Sequence, residues 1–359
     1  MRSVLATTSQ GQYEILVGGG LLESLGARLA GLVEPARAVL VTDENVAPLY
    51  LERARSALER AGFEVSHIVL PAGERQKTLE RTQEVYGVLY ERGLRRSDVI
   101  VALGGGVIGD LAGFVAATFQ RGVRLVQAPT TLLAQVDAAI GGKVGVDFRA
   151  GKNYIGTFYQ PRLVVADLET LATLPEREVR NGWAEVVKYA LLVGGDLLAA
   201  VSATLDEGGL PGEEVVARCA AEKVAVVQRD EREQTGERAI LNLGHTIGHA
   251  IEAAGSFAGY SHGEAVGLGL RAVLWLSQRL SGLADEDAAL GQALLSAASL
   301  PERLEEIDPA DAAALTARDK KADRRGTRYV LLSGLGRPLT GCGVPVELEA
   351  EALRWLATR

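Results

Sequence analysis

Five short runs rich in β-branched residues recur through the first half of the chain: 37–42 (RAVLVT), 65–70 (VSHIVL), 98–103 (DVIVAL), 123–127 (VRLVQ) and 163–167 (LVVAD). Stretches rich in Ala, Leu and Glu separate them, 49–60 and 79–92 among them. A strand that is apolar on both faces must be covered on both faces, and strands alternating with helical patterns predict a parallel sheet sandwiched by helices. Beyond Thr173-Leu174-Pro175 the texture changes to helical periodicity, interrupted by Gly- or Pro-containing loops near 208–212, 255–263 and 300–309, with 328–332 (RYVLL) as one late strand. A chain of 359 residues can build two cores. The expectation is therefore a Rossmann-like α/β domain over 1–175 and an all-α domain over 176–359.

Several function classes fall away on composition. The net charge of −8 is spread along the chain with no basic stripe, so nucleic acid is not an expected partner. No apolar run reaches the roughly 18 residues of a membrane span, and the opening MRSVLATTSQGQYEILVGGG lacks the unbroken apolar stretch of a secretory leader. A cytoplasmic location is expected. The two cysteines, Cys219 and Cys342, form no CxxC pair, so any metal would be held by histidine and carboxylate. Of 38 cations, 31 are Arg and 7 are Lys. Lysine is thus a marked residue here, and it suits phosphate and carboxylate as a compact point donor. Lys77, Lys143, Lys152, Lys188, Lys320 and Lys321 stand in Gly-rich or polar motifs, whereas Lys223 lies in a plain helical stretch.

The strand at 98–103 runs into Gly104-Gly105-Gly106-Val107-Ile108-Gly109-Asp110 and then an apolar helix. Strand, glycines and helix let backbone amides and a helix N-terminus approach a pyrophosphate, although a tight turn in any wound sheet also uses glycines. The acid normally found about 20 residues downstream is missing. Asp43, at the end of an earlier run, can hold a ribose hydroxyl and favour NAD over its 2′-phosphate form; it can equally cap a turn. From 129 to 161 the sequence is dense in Gly, Thr, Lys, Asn and Asp and poor in surface acids, the composition of a loop that holds something. Lys143 and Lys152 there can meet an anion, with Asn153 as a neutral donor.

Three of the four histidines, His245, His249 and His262, lie within 18 residues, in NLGHTIGHAIE and SHGEAVGLG. His245 and His249 share a helix face, so either both bind one metal or one binds metal while the other meets substrate. Glu185, three residues before Lys188 in WAEVVK, can complete a two-His, one-carboxylate site; a surface ion pair is the plain alternative.

GGGVIGDLAGFVAATFQRGV, PTTLLAQVDAAIGG, GKNYIGTFYQP, AEVVKYA, LNLGHTIGHAIE, HGEAVGLG and RDKKADRRG follow one another in the order and at about the spacing of the 3-dehydroquinate synthase family, which the chain resembles over nearly its whole length. The resemblance implies an NAD-binding α/β domain, a helical metal- and substrate-binding domain with the active site in the cleft, and a homodimer. It implies Glu185, His245 and His262 as ligands of zinc or cobalt, with His249 facing substrate. NAD contacts are implied for Asp43, for Glu74 and Lys77, and for Gly105, Gly106, Val107, Ile108, Gly109 and Asp110. Further contacts are implied for Thr130 and Thr131, for Asp137, Lys143 and Lys152, and for Thr170, Leu171 and Thr173. Substrate contacts are implied for Lys152, Asn153, Lys188, Arg238, Asn242, His249 and one of Lys320 and Lys321, with Arg121 reaching the phosphate of the neighbouring subunit. One departure is visible: the acid four residues before the family's arginine is Gln234 here, as if one residue were inserted after Glu233.

The implied reaction converts 3-deoxy-D-arabino-heptulosonate 7-phosphate, a small sugar-acid phosphate, to 3-dehydroquinate and phosphate. It belongs to the shikimate route to aromatic amino acids. Cyclases acting on other sugar phosphates, and metal-dependent polyol dehydrogenases, share the scaffold and are the competing expectations.

Overall fold

The computed structural model describes residues 1–149, 151–255, 259–319 and 328–359. The chain divides into two compact units, one of residues 1–175 and 212–232, the other of 176–211 and 233–359.

In the first unit a seven-stranded sheet is built from β1 (Arg2–Thr8), β2 (Gly11–Gly18), β3 (Arg37–Asp43), β4 (Glu64–Leu70), β5 (Val99–Gly104), β6 (Arg124–Pro129) and β9 (Leu163–Asp167), in the order β1-β2-β9-β6-β5-β3-β4. Within this sheet only the β1–β2 pair is antiparallel. All six residues of β5 are buried, because helices cover both faces of this central strand. The chain winds outward from β3 to β4 and then returns to the other side of β3 to lay down β5 and β6. The carboxyl ends of β3 and β5 thus flank the point where winding reverses, the usual ligand site of open α/β sheets. A second hairpin, β7 (Lys143–Phe148) with β8 (Gly151–Phe158), lies within the stretch read as a ligand-holding loop. Neither it nor β1–β2 is among the five runs read from sequence.

The helix Glu213–Arg229 belongs to this first unit, although helical periodicity alone groups it with the second half. Its apolar face, Val215, Val216, Cys219, Ala220 and Val227, is buried, and Gln228 accepts the Thr7 N–H at 3.1 Å. Periodicity reports that a segment is a helix but not which core it covers.

The second unit holds the helices Glu176–Val193, Gly195–Asp206, His245–Ala254, His262–Leu280, Asp285–Ala297, Pro309–Asp319 and Val346–Thr358, plus a small hairpin of β10 (Arg328–Leu332) and β11 (Pro338–Gly343). It is helical in bulk but not purely so. Helix His262–Leu280 is buried nearly all round and forms its axis. Two glycines set how closely its neighbours approach. A Cβ on Gly263 would sit 2.2 Å from the Asn181 carbonyl oxygen, and one on Gly269 would sit 1.9 Å from that of Gly244. Backbone therefore meets backbone at the starts of the two histidine-bearing helices and beside the turn that precedes Glu185.

Candidate functional site

In the first unit, the segments predicted to bind a dinucleotide follow the carboxyl ends of five parallel strands. Asp43 ends β3, Glu74 and Lys77 follow β4, Gly105–Asp110 follows β5, Thr130 and Thr131 follow β6, and Thr170–Thr173 follows β9. Gly105 caps the helix Gly106–Thr118 in an extended conformation, and the first intrahelical bond there is Gly109 N–H to Gly105 C=O at 3.0 Å. The amides of Gly106, Val107 and Ile108 precede it and point out of the helix start, a ready anion cradle. The Ile108 side chain is core, so this residue can serve a ligand only through its backbone. Thr170 and Leu171 are likewise buried, and Thr173 Oγ1 pairs with the Tyr50 hydroxyl at 2.5 Å. Asp43 Oδ1 accepts the N–H groups of Asn45 and Val46 at 2.9 and 3.0 Å, so the residue caps its turn as the plain reading has it.

Lys77 is buried and pairs with Asp110 at 3.0 Å and with Glu74 at 3.3 Å. Burial disfavours the ammonium, yet the charges of Asp110 and Glu74 outweigh it and raise its pKa. Asp137 lies in a π-helical turn, Ala134–Ala138, and pairs with Lys223 Nζ at 2.8 Å. Lys223 is the residue that sequence reasoning missed. It is buried to 6% exposure, and its Nζ also donates to the Asp137 carbonyl at 2.6 Å. The scarcity of lysine was the available signal; the regular helix around it concealed that it points inward. Lys143 is exposed at the start of β7, and Arg121 is exposed on a turn where Gln120, Arg121 and Gly122 all have positive φ (50°, 62° and 121°).

The second unit brings Glu185, His245 and His262 together, with one ligand atom from each lying within 4.8 Å of the others. Glu185 is 1% exposed, and its Oε1 is 3.3 Å from His245 Nε2 and 3.5 Å from His262 Nε2. Each imidazole is held from behind: His245 Nδ1 meets the Leu243 carbonyl at 3.1 Å, and His262 Nδ1 meets Glu252 Oε2 at 3.1 Å. With Nδ1 as donor, each Nε2 presents a lone pair to the carboxylate. Two lone pairs and an anionic oxygen repel one another unless a proton or a cation lies between them. Neither Glu185 oxygen closes a hydrogen bond of good geometry, although Lys188 Nζ is paired with Oε2. Burial would lower the pKa of His262, but the Glu185 and Glu252 carboxylates on either side of the ring raise it to about 9. Burial likewise pushes the Glu185 carboxyl up, while Lys188 and His245 pull it well below its ordinary range. A buried two-nitrogen, one-oxygen donor set with this negative field fits a tetrahedral divalent cation and leaves positions open.

His249 packs beside the pair, edge-on to His245 and tilted to His262, with ring centroids 5.4 Å and 6.0 Å away. It is exposed, as is Asn242, whereas Lys188 and Arg238 are buried. Glu233 has φ +54°, and its Oε1 lies 3.7 Å from Arg238 Nε. A carboxylate thus stands beside the arginine, carried by a residue in the left-handed conformation. Lys320 and Lys321 lie outside the described residues.

Glu252 anchors His262 from the preceding helix. Its replacement by alanine is expected to weaken metal affinity by about 10–100-fold, as measured by chelator competition. Unchanged affinity would leave Glu252 with a packing role only.

Fold and site together place the chain among the sugar-phosphate cyclases. A 2-deoxy-scyllo-inosose synthase solved with carbaglucose-6-phosphate, NAD+ and Co2+ superposes with a TM-score of 0.88 at 27% identity, covering 99% of this chain and 100% of that one. The 2-epi-5-epi-valiolone synthase of Streptomyces hygroscopicus, solved with NAD+ and Zn2+, gives 0.85 at 28% identity, covering 100% and 99%. Residues 67–181 match the 3-dehydroquinate synthase N-terminal family and 182–322 the corresponding C-terminal family. The 3-dehydroquinate synthase of Symbiobacterium thermophilum is 46% identical over 353 residues, 96% of each chain. The chain belongs to the 3-dehydroquinate synthase family. Among the described residues, no helix is long and apolar enough to cross a membrane.

Proposed function

We propose that this chain is a 3-dehydroquinate synthase. It takes 3-deoxy-D-arabino-heptulosonate 7-phosphate through transient oxidation, loss of phosphate, reduction and intramolecular aldol closure. The observation that carries this reading is the convergence of Glu185, His245 and His262 in a chain that matches a dehydroquinate synthase over 96% of its length. Identity to a dehydroquinate synthase at 46%, against 27–28% to cyclases of other sugar phosphates, supports the substrate choice.

Zinc or cobalt would be held by Glu185, His245 and His262, and NAD by Asp43, the Gly105–Asp110 turn and the strand-end segments after β4, β6 and β9. When bound, the metal acidifies and polarises substrate oxygens, and NAD supplies a reversible oxidant, neither of which the twenty side chains can provide. The protein's own work is alignment. Lys152, Asn153, Lys188, Arg238 and one of Lys320 and Lys321 would fix the two anionic ends, so that the reacting atoms stay in register through successive steps. Asn242 would hold a hydroxyl, and His249, exposed beside the ligand histidines, would exchange a proton with substrate oxygen. Arg121 would serve the neighbouring subunit of a homodimer.

Purified protein with NAD and zinc or cobalt is expected to release inorganic phosphate from the heptulosonate phosphate, and not from sedoheptulose 7-phosphate, without accumulating NADH. A stoichiometric rise in reduced-nicotinamide absorbance would instead mark a dehydrogenase. Lys152→Ala should weaken substrate capture far more than NAD binding, read as KM for the phosphate against NAD titration. Equal losses would count against its assignment to substrate.

A further inference from the structure

The β7–β8 hairpin is not a regular ladder. Val146 pairs with Ile155 and Phe148 with Gly151, so one residue on β7, Asp147, lies opposite three on β8: Lys152, Asn153 and Tyr154. Two of those three are the donors assigned to the substrate's anionic groups in the proposed function, and the role inferred for Asp147 rests on that assignment. A bulge of this size takes backbone amides out of register and forces an unusual backbone. Asn153 sits at φ +51°, a left-handed conformation that a non-glycine residue adopts at a cost.

Asp147 supplies what the ladder cannot. Its Oδ1 accepts the Asn153 N–H at 2.7 Å, a short charge-assisted bond to the left-handed residue itself. Its own N–H donates across to the Lys77 carbonyl at 2.8 Å. Lys77 is in turn the buried ammonium paired with Asp110, in the helix that follows the glycine loop. A continuous set of contacts therefore runs from the dinucleotide cradle through Lys77 and Asp147 to the bulge. We infer that Asp147 is a positioning residue: it clamps the Lys152–Asn153 bulge in the shape that presents these donors to the substrate anion, and ties that shape to the cofactor-side segment. It touches no reacting atom.

Three variants separate placement from charge. In Asp147→Asn the side-chain oxygen can still accept the Asn153 N–H. In Asp147→Glu the charge stays but the acceptor moves outward by one methylene. In Asp147→Ala both are lost. KM for the heptulosonate phosphate is expected to rise about tenfold or more in the Ala and Glu variants, the loss of one charge-assisted hydrogen bond, and to stay near wild type in Asn. NAD affinity, by fluorescence titration, should change little in all three. Hydrogen exchange read in parallel on the holoprotein should show the Asn153 amide deprotected in Ala and Glu and protected in Asn. Retained protection in Asp147→Ala, or a Glu variant indistinguishable from wild type in both readouts, would overturn the inference. Wild-type protein that releases no phosphate would sink the functional reading instead, while amide protection still decides the clamp.

Discussion

Glu185→Gln is expected to leave a folded protein that no longer retains zinc or cobalt through dialysis and whose turnover falls by about 10³-fold or more. Glutamine keeps the shape of the side chain but removes the anion toward which both Nε2 atoms point, at 3.3 and 3.5 Å. What remains is a pair of imidazoles beside the buried Lys188 ammonium, without the anion that faces them both, an arrangement that holds a divalent cation poorly. Lewis-acid stabilisation contributes several kcal/mol, and each 1.36 kcal/mol is a factor of about ten in rate, which sets the scale of the loss. Elemental analysis after dialysis and phosphate release under saturating NAD test it together. A variant that keeps one equivalent of metal would remove Glu185 from the ligand set. Stripping the wild type with a chelator should give the same inactive state, with activity returning on addition of zinc or cobalt.

The largest effect on stability is expected at Arg271. This residue of the helix His262–Leu280 is fully buried at 0% exposure, and its guanidinium serves neutral oxygens rather than a carboxylate. Nε donates to Pro301 O at 2.8 Å; Nη1 donates to Gln292 Oε1 at 2.9 Å and Gln292 O at 3.2 Å; Nη2 donates to Ser296 Oγ at 3.1 Å and Leu300 O at 3.3 Å. Burial, with the charge of Arg359, lowers its pKa to about 10, so it remains charged at neutral pH. Arg271→Met fills the volume but takes the donors from the Pro301 and Leu300 carbonyls, while Gln292 Oε1 keeps Arg359 Nη1 at 2.8 Å, so the cost is about 2–3 kcal/mol. Arg271→Lys should recover only part of this, because a point ammonium cannot reproduce the planar fork. Urea midpoints at constant m-value measure both. A Met variant within about 0.5 kcal/mol of wild type would mean that water or relaxed backbone satisfies the loop.

Legibility in the sequence followed physical signal strength. The five core strands announce themselves because burial on both faces demands unbroken β-branched runs. The run 163–167 coincides with β9, and the largest discrepancy is at β6, which continues to Pro129 beyond a run that ends at Gln127. The β7–β8 hairpin gave no such signal, since its second strand, GKNYIGTF, is largely exposed and needs no apolar face. The histidines of the site were legible as a chemical inventory, three of only four in the chain within 18 residues, but which two of them join Glu185 followed from the family resemblance and not from the residues themselves. The reason for the glycines beside them, backbone contact at Gly263 and Gly269, was not legible, because spacing along a chain does not report which helix lies opposite. Lys223 was overlooked for the same cause. The stretch around Glu233 and Gln234 leaves two outcomes open on sequence, a displaced carboxylate or none, and the 3.7 Å approach of Glu233 Oε1 to Arg238 Nε is visible only in three dimensions.

Because the helix Glu213–Arg229 returns to the sheet unit before the chain departs again, the polypeptide passes from one unit to the other three times, near 175, 211 and 232. Neither unit is a contiguous stretch of gene. A fragment ending at 175 would uncover the surface that Val215, Val216, Cys219 and Val227 bury, and would strip Lys223 from Asp137. Recombination that exchanges one half between relatives at the obvious Pro175 seam would therefore carry the wrong helix onto the sheet, and workable chimeras need two further cuts flanking 212–232.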